Sequence, residues 1–178
     1  MPEPAASARP SAPLAPCEAA SLRERRLLAV DLGLRTGLAL YGADGRLRWY
    51  RSQHFGAPSS LRRGVPALLD GVSHLVVEGG GALAAAWSDE ATARGVEVQW
   101  VSAETWRRAF LYPREQRSGE LAKRTADELA RRVIAWSAAR RPTSLRHDAA
   151  EAILIGLWGV LELGWLAALP PGLVHRAS

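Results

Sequence analysis

Acidic side chains stand at positions in this 178-residue chain where a core element would otherwise be apolar. Asp31 interrupts a hydrophobic run that begins at Leu27, and Glu78 follows the apolar run 75–77. Asp148 and Glu151 lie three residues apart, directly before a long apolar segment. A buried carboxylate costs free energy unless it is paired or bound to a metal. These four acids are therefore the candidate functional residues.

Asp148 and Glu151 have two interpretations when taken alone. A spacing of three residues places both carboxylates on one face of a helix, and Ala149 and Ala150 keep the space between them small. The same acids also suit the positive end of a helix dipole without any further function. The pair by itself does not choose between a binding role and a structural one.

Taken together, the four acids provide hard oxygen ligands of the kind that Mg²⁺ or Mn²⁺ prefers. Two divalent ions about 3.5–4 Å apart can activate a water molecule and stabilise a leaving oxygen in phosphodiester hydrolysis. Such a site needs carboxylates more than it needs a nucleophilic side chain. The acids therefore favour a nuclease with two metal ions.

The basic residues are unevenly distributed, which favours a polyanionic partner. The chain has 22 arginines and one lysine, Lys123, and a net charge of +5. Residues 102–146 carry eleven basic side chains against five acidic ones. A basic stretch of this kind indicates either a nucleic-acid surface or a solvated helix face. Cys17 is the one cysteine, which excludes an internal disulfide and a cysteine-based zinc cluster and favours a cytoplasmic protein.

The elements that must position these acids follow from the hydrophobic pattern. Three short apolar runs at 27–30, 38–41 and 47–53 predict a β-meander, with a turn at 43–45. Further along, the pattern predicts a helix around 61–69, a strand at 74–78, an alanine-rich helix after the glycines at 79–81, and a strand at 96–101. A short helix around 105–110, a polar loop containing Pro113, a longer helix capped by Ser118 and a final helix from 144–147 complete the prediction.

The predicted domain organisation is a disordered, Pro- and Ala-rich tail at 1–26, a nuclease domain at 27–170 and a C-terminal tail at 171–178. Prolines interrupt the tail, so no continuous apolar region of roughly 7–15 residues marks an export signal. The apolar run 152–169 approaches the length of a membrane span, but it contains Glu162 and three glycines. We expect a buried or interface helix there, and no membrane partner.

Several of these segments resemble the RuvC-type Holliday junction resolvases of the RNase H-like superfamily. The segments 28–33 and 36–37 are similar to the first strand and opening aspartate of that family, and 75–78 to its fourth strand and second acid. The segment 147–152 resembles its closing helix, and 102–107 the segment before its basic helix. Glu151 stands where the family usually has aspartate, and Arg107 where many relatives have lysine.

The resemblance implies an α/β protein with an RNase H-like mixed five-stranded sheet flanked by helices. It implies a homodimer that nicks opposing strands of a four-way DNA junction, with two Mg²⁺ ions per site and Mn²⁺ as a substitute. Under this hypothesis Asp31, Glu78, Asp148 and Glu151 are the metal ligands and a water molecule is the nucleophile. The nucleic-acid contacts are assigned to Arg107, Arg108, Lys123 and Arg124.

Among those basic residues, Lys123 falls where the family has a lysine near the scissile phosphate, so the resemblance makes it catalytic. Thr36 and His147 are secondary candidates. Thr36 either contacts a metal-bound water or a phosphate, or stabilises a turn. His147 either shuttles a proton or makes a local hydrogen bond at the helix start. Trp100 and Trp106 either stack on bases or belong to the core.

Two other functions stay open at this stage. One is an RNase H-like nuclease acting on a ribosomal RNA precursor or on branched phage DNA. The other is a catalytically silent nucleic-acid-binding module of the same fold, against which the presence of all the acids argues. The apolar set Ile153, Ile155, Trp158 and Leu161 fits either the core or a dimer interface.

Overall fold

The computed structural model describes residues 25–116 and 118–173. These residues form five β-strands, five α-helices and one 3₁₀ helix. In chain order they are β1 (Arg26–Asp31), β2 (Arg35–Gly42), β3 (Leu47–His54), α1 (Pro58–Leu68), β4 (His74–Glu78), α2 (Ala82–Ala93), β5 (Glu97–Val101), α3 (Ala103–Phe110), the 3₁₀ helix (Pro113–Gln116), α4 (Gly119–Trp136) and α5 (His147–Glu162). The predicted order of strands and helices is confirmed, and the predicted polar loop after α3 contains the 3₁₀ helix.

The five strands form one sheet in the order β3-β2-β1-β4-β5. β1, β2 and β3 are antiparallel neighbours, whereas β4 and β5 run parallel to β1. This arrangement confirms the mixed five-stranded sheet flanked by helices that the family resemblance implied. The central strand β1 and its parallel neighbour β4 both end in an acidic residue.

Alternate residues of the central strands supply two separate cores, one on each face of the sheet. Leu28 and Val30 pack in the core that includes residues of α1 and α2. Leu27 and Ala29 pack in the core on the other face, which includes residues of α3, α4 and α5. Because side chains alternate along a strand, Asp31 points to the same face as Leu27 and Ala29. The acidic end of β1 is therefore directed toward α5.

Helix α5 lies close to the sheet along a run of buried residues from Ala149 to Val160. At Gly156 an added Cβ would lie 2.3 Å from a ring carbon of Tyr41, so the close approach requires glycine. The Tyr41 hydroxyl donates a hydrogen bond of 2.6 Å to the carbonyl oxygen of Ile153. Ile153, Ile155 and Trp158 of the apolar set lie in this core. Leu161 is partly buried and packs against it. The structure thus places this set in the core of the chain.

The bounds of the predicted domain, 27–170, stay a prediction. Strand β1 begins at Arg26, one residue before the predicted domain start, and Leu173 is buried although the predicted tail begins at 171. Residues 1–24 and 174–178 lie outside the described residues, so the two tails stay predictions. Within 25–116 and 118–173, no helix has the length and apolar character needed to cross a bilayer. The cytoplasmic location stays a prediction.

Candidate active site

Asp31 and Glu78 lie side by side at the ends of adjacent parallel strands. They are partners in the register that pairs β1 with β4. Glu78 follows Val76 in the alternation of β4, and Val76 packs in the same core as Leu27 and Ala29 of β1. Both carboxylates therefore point to the face of the sheet that α5 covers.

The start of α5 reaches this sheet edge because β2 has a glycine there. Gly37 is the register partner of Asp31 on β2. A Cβ added at Gly37 would lie 1.9 Å from the carbonyl oxygen of Asp148, so only hydrogen fits between the strand and the helix. Contact of β2 with α5 thus brings the first turn of the helix beside Asp31.

Asp148 is oriented by a residue that the sequence did not single out. Ser52 of β3 pairs with Gly37 in the sheet, and its hydroxyl donates a hydrogen bond of 2.5 Å to Oδ2 of Asp148. The other carboxylate oxygen, Oδ1, accepts a hydrogen bond of 3.0 Å from the backbone amide of Ala149. Both oxygens of Asp148 therefore have donors from the protein.

Glu151 is buried one turn further along α5 and has two basic neighbours. Its Oε1 accepts a hydrogen bond of 2.5 Å from Nη2 of Arg107, and its Oε2 lies 3.3 Å from Nε2 of His147. His147 is the first residue of α5, so this contact lies within the first turn of the helix, and the predicted local hydrogen bond stays a prediction. A role for His147 in proton transfer stays a prediction.

Helix α3 provides two further contacts to the acids. Trp106 is fully buried, and its Nε1 donates a hydrogen bond of 2.6 Å to Oε2 of Glu78. The next residue, Arg107, makes the ion pair with Glu151. In this structure Trp106 is thus a core residue that orients an acid, and base stacking by it is excluded. Trp100, by contrast, is 46% exposed.

The proximity of the carboxylates changes their acidity. Burial, followed by the charges of Glu151, Glu78 and Asp148, raises the pKa of Asp31 from 3.8 to about 7. Burial also raises the pKa of Glu78, while the hydrogen bond from Trp106 opposes that shift. The four acids thus share one electrostatic neighbourhood, and their mutual repulsion favours the binding of a cation.

The donor set fits Mg²⁺ or Mn²⁺ in its chemistry, because it consists of carboxylate oxygens from rigid elements. In the side-chain positions of the described residues, however, no three His, Cys, Asp or Glu groups are already arranged around one ion position. The carboxylates of Glu78, Asp148 and Glu151 each accept a hydrogen bond from a protein donor instead. Metal binding would require some of these contacts to exchange.

The remaining candidates lie outside this cluster. Thr36 is fully buried and donates a hydrogen bond of 2.5 Å to the carbonyl oxygen of Gly33, as expected for a turn-stabilising hydroxyl. Arg108 is exposed and paired with Glu104 within α3. Lys123 and Arg124 are exposed on α4, and neither contributes to the pKa shifts described for Asp31 and Glu78. The structure thus brings Arg107 to the acids, but not Lys123 or Arg124.

Sheet topology, flanking helices and known structures together define an α/β protein of RNase H-like fold. One similar solved structure is T. thermophilus RuvC in complex with a Holliday junction substrate, at 15% sequence identity and a TM-score of 0.57. The match covers 79% of this chain and 96% of that one. No protein-family model matches the sequence, and no curated protein does. The likeness is therefore one of fold.

Proposed function

We propose that this protein is a Mg²⁺-dependent endonuclease that cuts branched DNA, with the four-way junction as its substrate. The observation that carries this proposal is the pairing of Asp31 with Glu78 at the ends of adjacent parallel strands, with Asp148 and Glu151 of α5 beside them. Glu151 is buried and Asp31, Glu78 and Asp148 are partly buried. Holding four such acids together is costly for a domain that does not use them. A site for cations accounts for that cost.

The four carboxylates would hold two Mg²⁺ ions, or Mn²⁺ in their place. When bound, such ions activate a water molecule and stabilise the leaving oxygen of a phosphodiester. The chain's own contribution is to fix the ligands. Asp31 and Glu78 are held by the sheet, whereas Asp148 is oriented by Ser52 and Glu78 by Trp106. Replacing a donor that orients a metal ligand typically lowers metal affinity or activity about 10–100-fold.

The choice of branched DNA is supported by charge and by fold. Eleven of the basic residues lie in 102–146, and Arg108, Lys123 and Arg124 are exposed there, where they are available to a phosphate backbone. The RuvC structure of the same fold is bound to a Holliday junction. The described residues of one chain contain one acid cluster, so cutting two opposing strands of a junction calls for two copies, and we propose a homodimer.

The proposal is tested by incubating the wild-type chain with end-labelled substrates in the presence of Mg²⁺, Mn²⁺ or EDTA. The substrates are a four-way junction, a linear duplex built from one pair of its arms, and an RNA of the same sequence. We expect paired nicks in opposing strands of the junction with either metal and none with EDTA, and no cutting by Glu78→Gln.

Each other outcome identifies a different function. A protein that binds the junction but never cuts it is a silent binding module. Equal cutting of the linear duplex would remove the junction specificity, and preferential cutting of RNA would favour a nuclease acting on an RNA precursor.

The predicted catalytic role of Lys123 is tested against its neighbour Arg124, which is also exposed on α4. An ammonium group is a compact point charge that a guanidinium group does not reproduce. We expect Lys123→Ala to lower the single-turnover cleavage rate on the order of 100-fold at saturating DNA. Arg124→Ala should weaken junction binding and leave that rate nearly unchanged.

This comparison also defines the result that would refute the assignment. An unchanged rate in Lys123→Ala, combined with lost cleavage in Arg124→Ala, would transfer the role to Arg124. Both variants remove one positive charge from an exposed position of the same helix, so a general loss of charge affects them equally.

A further inference from the structure

Arg107 occupies an unusual position for a residue of a basic, nucleic-acid-binding segment. Its guanidinium lies against the acid cluster, with Nη2 2.5 Å from Oε1 of Glu151. The carbon at the centre of the guanidinium is 5.1 Å from the centre of the Trp106 ring. The Arg107 side chain is 33% exposed and that of Glu151 is 11% exposed. The pair is thus shielded from solvent on the side of the acid.

The positive charge of Arg107 acts on the other acids as well. It attracts the carboxylates of Asp31 and Glu78 electrostatically. Carboxylates that lie together and partly away from water repel one another, and a nearby cation offsets that repulsion. Arg107 therefore supplies, in the absence of metal, part of the compensation that a divalent cation would supply.

Arg107 and a divalent ion cannot both lie against Glu151 without electrostatic repulsion. A divalent ion bound to Glu151 would lie close to the guanidinium, and the two positive charges would repel each other. In the described residues no three acidic or histidine side chains are yet arranged around one ion position, while Glu151 faces Arg107 and His147. Metal binding would therefore displace the guanidinium from Glu151.

We propose that Arg107 is a built-in countercation that stabilises the metal-free acid cluster and competes with divalent metal for Glu151. This inference rests on the proposed function, because it assumes that the cluster binds metal. It differs from the phosphate-binding role that the sequence predicted for Arg107. A phosphate contact alone would weaken DNA binding on substitution and leave metal affinity in DNA-free protein unchanged.

The test is a titration of the full chain with Mn²⁺ in the absence of DNA, with free Mn²⁺ measured by electron paramagnetic resonance. We expect Arg107→Gln to bind Mn²⁺ about tenfold more tightly than the wild type. Arg107→Lys keeps a positive charge, so its affinity for Mn²⁺ should lie between those of the wild type and Arg107→Gln. Arg108→Gln is the matched control, because its partner Glu104 is exposed and outside the cluster. Its affinity should equal that of the wild type.

Stability provides a second readout. With EDTA, Arg107→Gln should melt at a lower temperature than the wild type. Mn²⁺ should raise the melting temperature of this variant by more than it raises that of the wild type. In case this variant fails to fold, the wild type is followed by NMR of its arginine side chains. Mg²⁺ should accelerate hydrogen exchange of the guanidinium resonance that Arg107→Lys removes.

The possible failures are distinguishable. Equal or weaker Mn²⁺ binding by Arg107→Gln, or a guanidinium resonance unaffected by Mg²⁺ at saturation, would overturn the role of Arg107 and leave the nuclease proposal intact. If neither the wild type nor Arg107→Gln binds Mn²⁺, the metal site itself fails, and the proposed function fails with it.

Discussion

Replacing Asp31 with asparagine should abolish cleavage and at the same time stabilise the metal-free fold. The loss of activity follows from the central position of Asp31, whose pKa is affected by Glu78, Asp148 and Glu151. We expect cleavage of the junction to fall by about three orders of magnitude or more. The gain in stability follows because asparagine has nearly the same shape but adds no negative charge to the cluster.

The pH dependence of this gain has a definite sign. Burial and the neighbouring acids raise the pKa of Asp31 from 3.8 to about 7, so the folded state binds a proton more tightly than the unfolded state. This contribution to stability is fully present below pH 4 and is lost as the pH rises through 7. The stability difference between Asp31→Asn and the wild type should therefore be small at pH 4 and reach a plateau above pH 7.

The size of the plateau follows from the same shift. A pKa shift of one unit corresponds to about 1.4 kcal/mol in the free energy of unfolding. Because partial solvation of the site reduces the total, we expect Asp31→Asn to gain on the order of 2 kcal/mol at pH 8. In a domain of this size that is about 5 °C in melting temperature. Thermal unfolding in EDTA at pH 4, 6 and 8 measures it.

Asp89→Asn is the matched control, because Asp89 is an exposed carboxylate on α2. It should change neither cleavage nor the pH profile. A lower melting temperature for Asp31→Asn than for the wild type at pH 8 would show that Asp31 is not destabilised by its neighbours. Retained cleavage would remove it from the reaction.

The acids and the sheet could be predicted from the sequence because both depend on local patterns. Asp31 and Glu78 each end a short apolar run, and such runs predict strands, while the family resemblance implied the mixed sheet that contains them. Asp148 and Glu151 share a helix face through their spacing alone. The apolar runs also predicted the elements that carry these acids, so the site could be located before the structure was known.

The groups that orient the acids could not be found in this way, because they approach through long-range contacts. Ser52 is 96 residues from Asp148, and their contact depends on the register of β2 with β3 and on the docking of α5. Arg107 is 44 residues from Glu151, and charge alone predicted a phosphate contact for it. The available signal was the apolar pair Trp106 and Phe110, whose spacing of four residues places both on one face of a short helix.

A methyl group at Gly37 should disrupt the site more broadly than the loss of any one ligand. The Cβ of Gly37→Ala would lie 1.9 Å from the carbonyl oxygen of Asp148 and 2.4 Å from its carbonyl carbon. These are backbone atoms, so rotation of a side chain cannot relieve the overlap. The first turn of α5 must move away from β2, which separates Asp148 and Glu151 from Asp31 and Glu78.

We expect Gly37→Ala to destabilise the fold by about 3 kcal/mol, at the upper end of the usual cost of overpacking, and to lower the melting temperature by about 10 °C. Cleavage should be lost even at temperatures where the variant is fully folded, because the two halves of the acid cluster no longer meet. Circular dichroism melts and cleavage assays at low temperature measure the two effects separately.

Gly119→Ala is the control, because a Cβ at Gly119 has no atom within 4 Å. As the first residue of α4, it should tolerate alanine with unchanged or slightly higher stability. If Gly37→Ala were as stable and as active as Gly119→Ala, the close contact of β2 with α5 would not be what holds the cluster together. Loss of cleavage at full stability would instead show that the reaction depends on the spacing between the strand acids and the helix acids.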